Sequence, residues 1–339
     1  MSLLELVLSL VAILAAAALF TNAIEMLGER LNLGAGAVGS VLAAVGTALP
    51  ETMIPVVAIL GALFLGRDPA SAGEIGVGAI LGAPFLLATL AMFIAGVAAY
   101  GYRRRRGSGR EITMDRRTAT RDIGFFLVLF TVAAGIGLVP LPFFLKLIAA
   151  FFLVAAYVVH VMHTIRDGGG TEGEAPQNLT LWFSRSPAPM WAVVGQVVGS
   201  LVVMALGAHY FVDAVEHISE AVGIPAGLIS LILAPLATEL PEKFNSVLWL
   251  RQDKDTLALG NITGAMVFQS TVPVALGVAF TPWELSGLNL FSVGLALLSG
   301  GLVYYMLRQD KPVQIPYLIS GGILYAVFVV AAIFTVIML

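Results

Sequence analysis

The chain has 339 residues, 59% of them hydrophobic and only 12% charged, with a formal net charge of −3 and no cysteine. A water-soluble domain carries about one quarter charged residues, so this composition excludes one and points to an integral membrane protein. The lack of cysteine also excludes disulfides, thiolate-held metals and Fe–S clusters.

A membrane-spanning helix needs roughly 20 apolar residues. Stretches of that kind predict ten helices, over 3–24, 35–64, 74–100, 122–139, 141–163, 190–214, 222–250, 257–280, 286–306 and 314–337. Continuous apolar runs argue against a β-barrel, whose strands alternate. The first span opens with the acidic MSLLE and is expected to be a retained helix, since a secretory signal opens with basic residues. The loop YRRRRGSGREITMDRRTATR (102–121) carries eight arginines. Positive loops stay in the cytoplasm, so this loop is placed inside and both termini outside, in an expected prokaryotic plasma membrane. Residues 164–188, rich in Gly, Glu, Pro and Ser, read as a flexible polar linker. It separates an N-terminal five-helix unit (1–164) from a C-terminal one (189–339), with 165–188 between them on the cytoplasmic side.

The two units are related. Residues 20–51, FTNAIEMLGERLNLGAGAVGSVLAAVGTALPE, align without a gap on 211–242, FVDAVEHISEAVGIPAGLISLILAPLATELPE, with 12 identities in 32 positions. The copies lie five spans apart, an odd number, and so should cross the membrane in opposite directions. The expected fold is all-α, ten transmembrane helices arranged as two inverted five-helix repeats. Such repeats build secondary transporters with ion sites near the midplane.

Both copies end in Pro-Glu inside an apolar run. Proline removes one helical hydrogen bond and crowds the carbonyl four residues back, here Gly46 for Pro50 and Ala237 for Pro241. A carboxylate at membrane depth costs a few kcal/mol and usually marks an ion pathway. Freed carbonyls, a threonine hydroxyl and a carboxylate within one turn form an all-oxygen cluster. Two such clusters suit a hard cation such as Ca²⁺, Mg²⁺ or Na⁺.

GTALPE (46–51) and ATELPE (237–242), with GVGAILGAP (76–84) and LGNITGAMVFQ (259–269), resemble the α-repeats of the calcium/cation antiporter superfamily, in particular its sodium/calcium exchanger branch. The resemblance implies a non-enzymatic antiporter whose central glutamates fall on Glu51 and Glu242. It places hydroxyl ligands on Thr47 and Thr238, main-chain carbonyl ligands on Ala44 and Pro235, and further polar positions on Asn261 and Gln269. The transported cations, Ca²⁺ or Na⁺, are then the ligands; no separate cofactor is implied, and the partners are inorganic cations and the lipid bilayer. The chain departs from the family at Ala48, Ala79, Ala83, Pro84 and Leu87, where side-chain oxygens are lost, and at Glu239, where a carboxylate is gained. Glu239 stays open between a third ligand, a proton-carrying group and an i,i+4 partner of Lys243. The corresponding function is exchange of Ca²⁺ or another divalent cation for Na⁺, with proton-coupled exchange, a channel and a non-transporting receptor as alternatives.

Three other features read as ordinary. His160 and His163, at i,i+3, are expected to pack near the membrane interface, and RQDKDT (251–256) to form a solvated turn. Glu25, Glu29, Glu216 and Glu220 either line entrances or cap helix ends. No nucleotide-binding or hydrolase motif appears.

Overall fold

The computed structural model describes residues 2–30, 37–64, 66, 68–109, 111–166, 178–183, 187–285, 287–309 and 313–338. The side chains at 29, 37–48, 50, 165 and 240–242 lie outside that description, and with them those of Ala44, Thr47 and Glu242.

Among the described residues the chain is helical throughout, apart from an isolated bridge between Ile112 and Val313. The helices are α1 (Ser2–Arg30), α2 (Ala37–Phe64), α3 (Pro69–Leu86), α4 (Met92–Tyr102), α5 (Arg116–Ile136), α6 (Phe143–Arg166), α7 (Met190–Val222), α8 (Ala226–Arg251), α9 (Asp255–Gln269), α10 (Val272–Phe280), α11 (Gly287–Leu307) and α12 (Ile315–Met338). A π-turn at Leu87–Ala91 joins α3 to α4, so 69–102 is one continuous rod, and a two-residue break joins α9 to α10. Eight described segments are long and apolar enough to cross a membrane, while α2 and α8 contribute shorter apolar stretches, Glu51–Phe64 and Ala226–Glu239.

Burial sorts these helices. The most apolar stretch of the rod 69–102 is 83% buried and that of 255–280 is 72% buried, against 17% for both 143–164 and 315–338. The rods 69–102 and 255–280 are therefore central, and α6 and α12 peripheral. The outer face of α6 exposes Phe143, Phe144, Phe151 and Phe152, a surface that suits lipid and not water. Helix α1 lies along α7, where Ile13, Phe20, Met204, Ala208 and Phe211 are buried.

Small residues set the closest crossing. A β-carbon on Gly82 would lie 2.1 Å from the Leu231 carbonyl oxygen. Pro235 lacks the N–H that would bond that carbonyl, and α3 approaches it where only glycine fits. The irregular points in the two central rods are satisfied by hydroxyls. Ser299 of α11 donates to the Ala88 carbonyl at 2.6 Å inside the π-turn. At the other break the Thr271 hydroxyl donates to the Val267 carbonyl at 2.7 Å, and that of Ser270 to the same oxygen at 3.1 Å.

Two polar stretches are more ordered than their composition suggests. The linker's last residues dock on α1 and α7: Thr180 donates its N–H to the Asn22 amide oxygen at 2.8 Å and Leu181 to that of Gln196 at 3.0 Å. Leu179 is buried there. The 251–256 turn is exposed at every position but Asp255, as expected of a solvated turn, yet it is anchored. Arg106 is buried and ion-paired with buried Asp255. Asp253 accepts from the Gly107 N–H at 3.0 Å and the Ser108 hydroxyl at 2.9 Å. Thr113 adds an N–H bond to Asp255 at 2.9 Å. One of the eight arginines in the 102–121 loop thus clasps the turn between α8 and α9, a role charge counting cannot reveal.

Candidate cation site

Glu51 lies in α2 and is buried at 8% exposure. The sequence places a second proline, Pro55, four residues on, so α2 lacks the N–H that would bond the Glu51 carbonyl. The Glu51 segment therefore carries a backbone acceptor as well as a carboxylate, a feature the Pro-Glu motif alone did not reveal. Ala44 and Thr47 belong to the same helix, two turns and one turn toward its start respectively, with side chains outside the described residues.

On α8, Pro235, Thr238 and Glu239 are all buried. Thr238 donates its hydroxyl to the Ala234 carbonyl at 3.0 Å, leaving its oxygen lone pairs for another donor or a cation. The Glu242 backbone continues the helix, its side chain lying outside the described residues.

Glu239, Gln269, Asn261 and Lys243 converge. The Gln269 amide donates to Glu239 Oε1 at 3.1 Å, and Lys243 Nζ lies 3.6 Å from Glu239 Oε2. The same ammonium donates to Asn261 Oδ1 at 2.9 Å. Lys243 and Glu239 are each 1% exposed. Of the three readings open for Glu239, the geometry realises the ion pair with Lys243. Spacing predicted that pair; that Asn261 from the middle of α9 and Gln269 from its end would complete it was not legible.

A second buried polar group was missed altogether. Asp122 of α5 accepts from the Thr263 hydroxyl of α9 at 2.9 Å, with His160 Nε2 of α6 and the Arg121 guanidinium each 3.6 Å from its other oxygen. Arg121 also donates to Thr164 at 2.8 Å. The group ties the central rod to α5 and α6. The signal was present in the sequence, as an aspartate opening the predicted span 122–139. His160 is thus buried beside a carboxylate, while His163 is exposed, so the two do not form a metal pair. Among the described residues no three His, Cys, Asp or Glu side chains are grouped to hold a metal. Of the glutamates at helix ends, Glu216 accepts from the Ser71 hydroxyl at 3.2 Å, linking α7 to α3.

Comparison with known proteins places this geometry in context. The fold is similar to that of the crystal structure of the H+/Ca2+ exchanger CAX, with a TM-score of 0.73 at 18% identity, covering 99% of this chain and 86% of that one. It is also similar to the sodium-calcium exchanger NCX_Mj, with a TM-score of 0.58 at 19% identity over 97% of both chains. In sequence it is 27% identical over 150 residues to the vacuolar cation/proton exchanger 1c of Oryza sativa subsp. japonica, covering 43% of this chain and 32% of that protein. It is 32% identical over 92 residues to the sodium/calcium exchanger MaX1 of Methanosarcina acetivorans, covering 27% and 26%. The chain thus spans about a third or less of these two curated relatives. Residues 1–166 and 192–336, nearly the whole chain, match the family described as sodium/calcium exchanger protein. Buried central rods, apolar outer helices and a match over both halves make this multi-pass membrane protein a member of the sodium/calcium exchanger protein family.

Proposed function

We propose that this chain is a secondary active cation antiporter that exchanges Ca²⁺ or another divalent cation for Na⁺ by alternating access. The observation that carries the reading is a buried glutamate, Glu51, beside a proline in a membrane helix, with the same Pro-Glu pair repeated in sequence as Glu242 in the second half. In this reading ten spans form two inverted halves, 1–164 and 189–339, joined by 165–188, with both termini outside. Glu51 and Glu242 hold the cargo, assisted by Thr47, Thr238 and the carbonyls of Ala44 and Pro235. Glu239, Asn261 and Gln269 adjoin it as a polar group belonging to the second half alone.

Two features of the fold support inverted halves. The rod 69–102 packs against α11 and α12, as the rod 255–280 packs against α5 and α6. Each rod also loses helical regularity at the equivalent position, four residues past Ala83 and Ala265: the π-turn begins at Leu87 and α9 ends at Gln269.

Proton coupling is the second reading. It is favoured by the buried Ala79, Ala83 and Leu87, which give the rod 69–102 no side-chain oxygen for sodium at these three positions. Relatives carry both names, cation/proton exchanger and sodium/calcium exchanger. Proteoliposomes loaded with Na⁺, or with acid at equal Na⁺, and diluted into radioactive Ca²⁺ distinguish the two. Uptake driven by the sodium gradient supports the first reading and uptake driven only by the pH gradient the second. Ca²⁺ that merely equilibrates, with no counter-ion moving, overturns antiport.

A further inference from the structure

Lys243 is 1% exposed and among the largest fully buried side chains of the protein. Burying an ammonium costs several kcal/mol unless good partners compensate, so its position requires explanation. An ammonium only donates, and its neighbours must therefore be the kinds of group that bind a metal cation. They are: Asn261 turns its oxygen to Nζ at 2.9 Å, and the Glu239 carboxylate lies 3.6 Å away. Gln269 donates to the other Glu239 oxygen at 3.1 Å, which aims the first one at the lysine.

Comparison between the halves sharpens the point. The positions equivalent to Glu239, Lys243, Asn261 and Gln269 are Ala48, Thr52, Ala79 and Leu87. None of these is charged, and only Thr52 carries a side-chain oxygen. Glu239 and Lys243 are therefore present together in one half and absent together from the other, adding no net charge. A structural ion pair would need no carboxamides from a second helix. Here one α9 carboxamide, Asn261, turns its oxygen to the positive charge beside the Glu239 carboxylate, and a second, Gln269, holds that carboxylate in place.

We propose that the Lys243 ammonium is a resident cation, filling a monovalent-cation position formed by Glu239 and Asn261 beside the proposed cargo site. This deepens the exchanger reading above and rests on it. The tethered charge cannot be released, so this subsite contributes no ion to the transport cycle, and the exchanger moves one monovalent cation fewer than its oxygen ligands would allow. Selectivity follows as well: Lys243 directly follows Glu242 in the chain, and a fixed positive charge next to a proposed cargo ligand opposes a second bound cation and biases the site toward single occupancy.

The test compares the full-length protein with Lys243→Met and with Lys243→Met/Glu239→Gln. Thermal unfolding in detergent is followed while NaCl replaces choline chloride at constant ionic strength. Lys243→Met is expected to gain a sodium-dependent rise in Tm roughly 5 °C larger than that of the unaltered chain, and to bind one additional radioactive sodium ion at equilibrium. The double variant, without either charge, is expected to show neither gain. If Lys243→Met does not fold in choline, sodium present throughout purification should restore it. Failure of sodium to restore it overturns the proposal, as does a folded Lys243→Met whose sodium binding is unchanged. The sodium titration is repeated in Glu51→Gln, which separates the two claims. Normal Ca²⁺ transport by Glu51→Gln alone removes the cargo-site reading, whereas Lys243 is judged only by the sodium gained on its replacement.

Discussion

Gly78 of α3 and Gly227 of α8 lie so close that a β-carbon on Gly78 would sit 2.2 Å from the Gly227 carbonyl oxygen. One turn on, the same test at Gly82 meets the Leu231 carbonyl at 2.1 Å. Backbone cannot yield as a flexible side chain does, so the two helices must separate to admit even a methyl group. Gly78→Ala and Gly82→Ala are each expected to destabilise the protein by about 1–3 kcal/mol, the usual cost of overpacking. Gly301→Ala, where nothing lies within 4 Å, is the control and is expected to be neutral. Thermal unfolding in detergent decides it; equal Tm values for all three would mean that the crossing is looser than described.

The loop clasp responds to acid in a direction set by Asp253. The Gly107 N–H first, then the Ser108 hydroxyl, hold its carboxyl below the usual carboxylate range. Asp115, which caps α5, is lowered in the same sense, chiefly by the Thr118 hydroxyl. A carboxylate whose folded pKa is depressed adds stability above its unfolded value, about 3.9, and loses it as pH falls through the folded value. The clasp should therefore be insensitive between about pH 6 and 8 and open below about pH 4. Hydrogen exchange at the Gly107 and Ser108 amides, corrected for intrinsic rate, reads this directly. Asp253→Asn should weaken protection at neutral pH and remove the acid step. Asparagine tolerates the positive φ of 59° found there, so the change tests charge and not backbone strain.

How much of this was legible from sequence varies with the kind of signal. Apolar length and the paired Pro-Glu motifs identified membrane helices and the buried position of Glu51, because both are local properties. The predicted span 74–100 ends close to the observed rod, yet the π-turn inside it could not be seen. That turn depends on Ser299 and Gly321, more than 200 residues away, which receive the Ala88 and Thr89 carbonyls. The clasp on this exposed turn was hidden for a similar reason. Nothing in RQDKDT says which of eight arginines will reach it, since the pairing is fixed by where α4 and α8 end. The contact of His160 with Asp122 was not legible because the two lie on different helices.

Topology is open to a direct test in a chain that lacks cysteine. Ser108 would be a poor labelling site, being held by Asp253 at 2.9 Å. Arg104 is exposed in the same loop, and Arg104→Cys is expected to react with an impermeant maleimide only from the cytoplasmic side. Cysteines added at either terminus should react only from outside, since the positive-inside rule assigns the 102–121 loop with its eight arginines to the cytoplasmic side. Labelling of a terminus and position 104 from the same side would mean that the helix count of ten is wrong.

The sharpest prediction concerns Glu51 and Glu242. Replacing either with glutamine removes one ligand charge at nearly constant volume, and losing even a group that only hydrogen-bonds to a metal ligand costs about 10–100-fold in metal affinity. Removing a direct ligand should cost at least about 100-fold in Ca²⁺ transport. Stability should move the other way. A buried carboxylate without cargo is expensive in a membrane, whereas a carboxamide is less so. Ion-free Glu51→Gln should therefore unfold at the same temperature as the unaltered chain or a higher one. Added Ca²⁺ should raise the Tm of the unaltered chain and not that of the variant, since only cation bound to the folded state stabilises it. A variant that unfolds earlier without ions would assign Glu51 a structural role. One that keeps both its Ca²⁺-induced shift and its transport would remove Glu51 from the site.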